Sequence, residues 1–121
     1  INDLSDIYNY LSDKITTIFI DEANFLKGNI DVLIDLSINK DLDIFIAGLN
    51  LTSELKPFGI MPEIMAISDE IVLLHASCND CNRDASYTYY NGSKDSDILV
   101  GNDNYIALCP KCLRKRLTLN K

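Results

Sequence analysis

The sequence predicts an α/β protein, with a partial parallel sheet in residues 1–76 and a small, metal-tied β subdomain in residues 77–121. Residues 15–20 and 43–47 are β-branched, apolar runs of the kind found in buried parallel strands. A stretch with helical spacing separates them, and strand–helix–strand implies a right-handed parallel crossover. The last third carries two Cys-x-x-Cys pairs, Cys78 with Cys81 and Cys109 with Cys112.

The other elements follow from local patterns. Residues 2–13 place apolar side chains at helical spacing, with Asn2 or Ser5 as the candidate cap. Further helices are predicted at 29–38, 63–66 and from Leu113 onward. Further strands are predicted at 70–75, 87–90, 98–100 and 105–108, with a turn at 91–93.

The cysteine spacing predicts a structural zinc site. Two thiolates separated by two residues reach one metal, and two such knuckles complete a closed tetrahedral site without an open position for chemistry. Two disulfides or four unrelated buried thiols are the alternatives. The long interval between the knuckles, residues 82–108, would be a loop whose ends the metal holds.

Charge and composition exclude other classes of protein. The net charge of −7 argues against a nucleic-acid-binding zinc ribbon, which needs a basic surface to meet phosphates. No secretory signal or apolar run long enough for a bilayer is evident, which favours a reducing compartment. The chain begins with Ile1, so we expect a processed protein or a piece of a longer one.

Two acids follow the first predicted strand. Ligands of open parallel sheets bind at the carboxyl ends of strands, which is where Asp21 and Glu22 lie. One acid could hold a magnesium ion and the other could accept a proton from a substrate hydroxyl. A helix cap with a solvated neighbour is the alternative reading of the same pair.

The order of several short motifs is more specific than any one of them. Asp21-Glu22-Ala23-Asn24-Phe25 is followed by Ala47-Gly48-Leu49-Asn50, by Lys56-Pro57-Phe58-Gly59, and by the knuckles with Ala85-Ser86-Tyr87-Thr88 and Gly101…Tyr105 between them. This series resembles the zinc-containing thymidine kinases of the cellular and bacterial type, from about residue 15 to residue 113. The resemblance implies a partial sheet with the topology of a phosphate-loop kinase.

The resemblance also implies roles for individual residues. Glu22 would be the base toward the deoxyribose 5′-hydroxyl, with Asp21 near the magnesium. The substrate-binding positions would be Phe25, Leu49, Phe58, Thr88 and Tyr105. The span between the knuckles would be the family's lasso loop over the base. The complete enzyme would be a cytoplasmic homotetramer that uses ATP with Mg²⁺ and carries structural Zn²⁺ on the four cysteines.

The chain departs from the family pattern in several places. It contains no Gly-x-x-x-x-Gly-Lys-Ser/Thr phosphate loop, so we expect it to be inactive alone. The stretch at Gly101 is one residue short, and side chains that are unusual for the family stand at Asn24, Asn50, Ser53, Tyr90 and Pro110. The resulting hypothesis is a thymidine kinase fragment. The alternatives are a non-catalytic, zinc-stabilised nucleoside-binding or oligomerisation module and a generic zinc-ribbon interaction domain.

Overall fold

The structure, a computed structural model, describes residues 1–91 and 104–119. They form two units. The first comprises Ile1–Asn50 and Pro57–Ile71, and the second comprises Leu51–Lys56 and the described part of Val72–Lys121. The domain boundary predicted between residues 76 and 77 stays a prediction. The predicted strand at 98–100, the rest of the turn after Asn91, and Gly101 lie outside the described residues.

The first unit is built on a parallel pair of strands. Strand β1 (Thr17–Ile20) pairs with β2 (Asp43–Ile46), with Thr17 opposite Asp43 and Ile20 opposite Ile46. The connection contains helix α1 (Asp31–Ile34), which continues as a π-helical turn over Asp35–Asn39. The predicted strand–helix–strand order and the parallel pairing are confirmed.

The prediction that both strands are buried is wrong for one face of the pair. Phe19 is 78% exposed and Phe45 is 58% exposed. Their rings stack on each other with centroids 5.1 Å apart. Successive side chains of a strand point to opposite faces, so Ile20 is buried while its neighbour is exposed. The apolar core therefore lies on the other face of the pair.

The N-terminal helix is shorter and tighter than predicted. It is a 3₁₀-helix over Leu4–Tyr10, and its cap is Asp3 rather than Asn2 or Ser5. The Asp3 carboxylate accepts a hydrogen bond from the Ser5 backbone N–H at 2.9 Å, while Asp6 accepts one from the Asp3 N–H at 3.1 Å. This reciprocal capping satisfies N–H groups that the helix itself leaves without partners.

The core of the first unit forms where the N-terminal 3₁₀-helix, strand β1 and the following helices pack together. Its fully or nearly buried members are Leu4, Ile7, Ile20, Ala23, Leu26, Leu33, Leu36, Leu42, Met61 and Ile64. The last two belong to α2 (Met61–Ile67), which is longer than the helix predicted at 63–66 and has a proline in its first turn. Proline is tolerated there because the first helical N–H groups have no partner within the helix.

The third strand predicted at residues 70–75 is wrong. The structure assigns no strand to this run, and Ile71, Val72, Leu73 and Leu74 are 48–87% exposed. An apolar, β-branched run needs a neighbouring strand to form a hydrogen-bonded ladder. No strand in the described part of the chain pairs with it.

The second unit consists of two small antiparallel pairs and a terminal helix. Strand β3 (Ala76–Ser77) pairs with β4 (Asp84–Ala85), and β5 (Tyr87–Tyr90) pairs with β6 (Tyr105–Leu108). Helix α3 (Pro110–Leu119) begins three residues before the predicted start at Leu113. The predictions at 87–90 and 105–108 are confirmed, whereas the β3–β4 pair was not predicted. None of the described helices is both long and apolar enough to cross a membrane.

Candidate functional site

The four cysteines of the second unit converge on one point. Their sulfur atoms all lie within 4.8 Å of one another, and the Sγ atoms of Cys81 and Cys109 are 3.7 Å apart. Zinc–sulfur bonds of about 2.3 Å in a tetrahedron place neighbouring sulfurs about 3.8 Å apart. The spacing therefore fits a metal ion bound by four thiolates. All four cysteines are unpaired thiols, so the disulfide alternative is not what the structure contains.

Local hydrogen bonds shape the first knuckle. Cys78 and Cys81 lie in the turn between β3 and β4, where the Cys78 N–H donates to the Arg83 carbonyl at 2.7 Å. The Asn82 N–H donates to the Cys78 carbonyl at 2.9 Å, and Asn82 has a left-handed backbone with φ 64°. Asparagine tolerates this conformation better than most residues. The turn thus closes tightly enough to aim both thiols inward.

The second knuckle lies where β6 passes into α3. Cys109 and Cys112 are both buried, and the Cys112 N–H donates to the Cys109 sulfur at 3.5 Å. The Asn79 N–H of the first knuckle donates to the Ala107 carbonyl of β6 at 2.8 Å. A backbone hydrogen bond therefore links the first knuckle to β6, the strand that leads into the second knuckle.

The electrostatics of the cluster also favour a cation. Burial opposes ionisation of Cys78, but N–H donors from Cys109 and Asp80 lower its pKa to about 6. Burial and the neighbouring sulfurs, Cys109 first, raise the pKa of Cys112 to about 12. Four thiolates this close together repel one another, and a bound divalent metal ion would compensate their negative charge.

In the first unit, the two acids lie where β1 ends. Asp21 and Glu22 are both exposed, and the Asp21 carboxylate accepts a hydrogen bond from the Glu22 N–H at 2.8 Å. Glu22 has a left-handed backbone, φ 52° and ψ 41°, and its side chain caps nothing. Non-glycine residues in this conformation carry strain and cluster at functional sites. The geometry leaves the Glu22 carboxylate free to face solvent or a ligand.

Three of the predicted substrate-binding residues lie close to these acids. Phe25 follows within the same turn, and its ring contacts Phe58 edge-on with centroids 5.5 Å apart. Leu49 follows β2, and its N–H donates to the Asn24 side chain at 3.1 Å. Phe25 is 64% exposed and Leu49 is 55% exposed. The structure thus links the turn after β1 to Phe58 through a ring contact and to the Leu49 backbone through a hydrogen bond.

Sequence reasoning gave Asn24 no structural role. It is 4% exposed, and its Nδ2 atom has no hydrogen-bond partner among the described residues. A buried amide N–H left unpaired costs about 1–3 kcal/mol. No local pattern could reveal this residue, because its partner Leu49 lies 25 positions away.

Thr88 and Tyr105, the other two predicted substrate-binding residues, lie in the second unit. Thr88 is on β5 opposite Ala107, and Tyr105 begins β6 opposite Tyr90. The Tyr90 and Tyr105 rings are tilted against each other with centroids 5.1 Å apart. These strands form the described ends of the span between the knuckles. Tyr105 is 38% exposed, so part of its ring remains available for contact.

An ion pair that was not predicted supports the same unit. The Arg116 guanidinium of α3 donates to both carboxylate oxygens of Asp80, at 2.7 and 2.9 Å, and lies 5.6 Å from the centre of the Tyr89 ring. The hydrogen bond from Arg116 lowers the pKa of Asp80 to about 2. The only sign of this ion pair in the sequence is that Asp80 in the first knuckle and Arg116 in the terminal helix carry opposite charges.

Comparisons with known proteins identify the family of the chain. The sequence model of the family described as thymidine kinase matches residues 1–113. A thymidine kinase of Porphyromonas gingivalis is 36% identical over 107 residues, covering 87% of this chain and 52% of the relative. A thymidine kinase of Pseudothermotoga lettingae is 30% identical over 118 residues, covering 96% of this chain and 64% of the relative.

A thymidine kinase of Mycoplasma mobile is 33% identical over 112 residues, covering 92% of this chain and 56% of the relative. The chain therefore spans about half to two thirds of the length of the curated relatives it matches. The family model covers nearly all of the chain, including both acids and all four cysteines. The chain belongs to the thymidine kinase family.

Proposed function

We propose that this chain is the nucleoside-binding and proton-accepting part of a thymidine kinase. The complete enzyme transfers the γ-phosphoryl group of ATP to the 5′-hydroxyl of thymidine or deoxyuridine. The observation that carries the proposal is that the turn which begins at Glu22 holds Phe25 against Phe58 and accepts a hydrogen bond from the Leu49 N–H. An apolar wall next to an exposed carboxylate suits a flat base attached to a sugar with a free hydroxyl.

Glu22 acts as the general base in this proposal. Its carboxylate accepts the proton of the 5′-hydroxyl as that oxygen bonds to the γ-phosphorus. The bond from the γ-phosphorus to the β–γ bridging oxygen breaks, and ADP leaves with that oxygen. The exposed position of Glu22 and the absence of a capping bond on its side chain support the role. General base catalysis is worth about 10²–10⁴ in rate.

Asp21 is the proposed contact for the magnesium ion that accompanies ATP. Magnesium is bound through one or two carboxylates together with substrate phosphates, and an exposed Asp21 at the end of β1 fits that pattern. When bound, the ion neutralises the charge of the phosphates. This chain contains no phosphate loop, so we expect the complete enzyme to supply one from another segment.

The second unit is proposed to cover the nucleoside. Thr88 and Tyr105 lie at the two described ends of the span between the knuckles, on the paired strands β5 and β6. A zinc ion on Cys78, Cys81, Cys109 and Cys112 would hold those ends together and lower the entropy cost of ordering the loop. Homotetrameric assembly and a cytoplasmic location are further proposals from the family resemblance.

A second candidate is a non-catalytic, zinc-stabilised nucleoside-binding or oligomerisation module. The observation that favours it is the set of side chains unusual for the family, at Asn24, Asn50, Ser53, Tyr90 and Pro110. The kinase and the nucleoside-binding form of the second candidate share the proposed base-binding wall of Phe25, Leu49 and Phe58, and they differ in whether phosphoryl transfer follows. Titration calorimetry of the chain with thymidine, with deoxyguanosine as the control ligand, tests the shared part.

We expect the chain to bind thymidine in preference to deoxyguanosine and to transfer no phosphate alone. In a complete kinase that includes this chain, Glu22→Gln should lower turnover by about 10²–10⁴ with little change in nucleoside affinity. Asp13→Asn removes another exposed acid of the same unit and is the matched control. Equal turnover in Glu22→Gln and the control would assign the base elsewhere. No preference for thymidine would overturn the kinase and the nucleoside-binding module, and would leave the oligomerisation module.

A further inference from the structure

Asn24 lies where the segments after β1 and β2 meet. Its side-chain oxygen accepts the hydrogen bond from the Leu49 N–H at 3.1 Å. One residue earlier, the Ala23 N–H donates to the Ala47 carbonyl at 3.0 Å. The turn that carries Glu22 is therefore tied to the Leu49 segment by two hydrogen bonds, one from the backbone and one from a side chain.

Two glycines allow these segments to approach so closely. A β-carbon on Gly48 would lie 2.9 Å from the Met61 sulfur and 3.2 Å from both the backbone N and the side-chain oxygen of Asn24. A β-carbon on Gly59 would lie 2.7 Å from the Asn24 carbonyl oxygen, and Gly59 has φ +51°. The loop that carries Phe58 thus approaches the Asn24 backbone too closely to admit a β-carbon at Gly59.

The chemistry of Asn24 argues against a simple packing role. It is the one buried polar side chain among the residues that the structure describes, and its Nδ2 atom is unpartnered there. An apolar side chain of similar size would fill the space without that cost. What an apolar side chain would not provide is the oxygen that holds the Leu49 N–H.

We infer that Asn24 is a positioning residue for nucleoside recognition. It fixes the Leu49 backbone and, through the contact with Gly59, the neighbouring Phe58 relative to Phe25 and Glu22. It touches no ligand itself. The inference rests on the proposed function, because it assigns Asn24 the task of holding the base-binding wall in register with the base.

Three variants and one control separate this role from core packing. Asn24→Leu keeps the approximate size and removes the acceptor, whereas Asn24→Asp keeps an acceptor oxygen. Asn24→Ala removes the acceptor without added bulk and replaces the leucine variant if that variant does not fold. Ile7→Val shortens another buried side chain of the same unit without touching the Leu49 bond. Each protein is assayed for amide exchange at Leu49 without ligand and for thymidine affinity.

We expect Leu49 exchange to be about three- to tenfold faster in Asn24→Leu, since one hydrogen bond is lost. Thymidine affinity should weaken by a similar factor, while Ile7→Val remains near the unsubstituted chain. Asn24→Asp keeps the acceptor oxygen, so its Leu49 exchange should be slower than that of Asn24→Leu, although burial of its carboxyl group lowers stability. Faster Leu49 exchange with unchanged affinity would overturn the positioning role and leave the proposed function intact. Unchanged Leu49 exchange would overturn it as well. No thymidine binding by the unsubstituted chain would overturn the proposed function, and the positioning role with it.

Discussion

The left-handed backbone of Glu22 predicts an opposition between stability and function at the proposed base. A β-carbon in this conformation costs about 1–2 kcal/mol. Glycine avoids that cost but loses about 0.5–1 kcal/mol through its more flexible unfolded chain. Glu22 is exposed and its side chain makes no cap, so little packing is lost on truncation. Glu22→Gly should therefore be more stable than Glu22→Ala by about 0.5–1 kcal/mol.

Calorimetric unfolding of the zinc-saturated proteins measures this difference. A small domain shifts in melting temperature by about 4–8 °C per kcal/mol, so the glycine variant should melt about 2–8 °C above the alanine variant. Glu22→Gln retains the β-carbon and the side-chain size, and it should unfold within about 0.5 kcal/mol of the unsubstituted chain. None of the three variants should supply the base in the complete enzyme.

The comparison between glycine and alanine decides the matter, because both lack the carboxylate and differ only in the β-carbon. A glycine variant that is less stable than the alanine variant would show that Glu22 does not hold a left-handed backbone in solution. Backbone strain would then give no support to a functional role of Glu22. The expected result would instead mean that the glutamate occupies a site where glycine is the more stable residue.

Three other predictions concern the metal, the lasso and acid stability. Metal analysis should find about one zinc per chain, and Cys112→Ser should lower that zinc content. Removal of the metal by a chelator should speed amide exchange in the second unit before the parallel sheet of the first unit melts. Tyr105→Ala should weaken thymidine binding about ten- to a hundredfold, by analogy with base stacking, with zinc content unchanged; equal affinity in calorimetry would remove Tyr105 from the lid. The hydrogen bond from the Tyr8 hydroxyl lowers the pKa of Asp35 in the folded protein below its ordinary value of 3.8. The bond therefore contributes stability above pH 3.8, and this contribution is lost as the pH falls through the lower pKa of the folded state. Tyr8→Phe should flatten this acid dependence in unfolding measured from neutral pH to below pH 4, and an unaltered profile would argue against the bond.

Short sequence patterns predicted those features that depend only on residues close together in the chain. The knuckle spacing alone placed four sulfurs around one point, because the two-residue gap dictates the reach of each pair. The runs at β1 and β2 predicted a parallel pair because the helix between them leaves few other connections. Phe25 and Phe58, whose rings are in contact, were singled out through the family resemblance rather than through periodicity, and their substrate-binding role stays a prediction.

The features that sequence did not reveal depend on distant partners. The run at residues 70–75 has the composition of a strand, but composition cannot supply the neighbouring strand that a ladder needs. Asn24 acquires its role only from Leu49, and Asp80 only from Arg116, 36 positions away. The Asp3 cap was missed because Ser5 and Asn2 are equally good capping residues when considered locally.

The exposed apolar segment from Ile71 to Leu74 affects how the chain behaves at high concentration. Four consecutive apolar residues without charge or proline, 48–87% exposed, have the composition that seeds aggregation by strand addition between molecules. The exposed, stacked rings of Phe19 and Phe45 form a second apolar patch that favours association between molecules. We therefore expect the purified chain to be lost from solution by aggregation before it unfolds. A charged substitution within the segment from Ile71 to Leu74 should slow this aggregation.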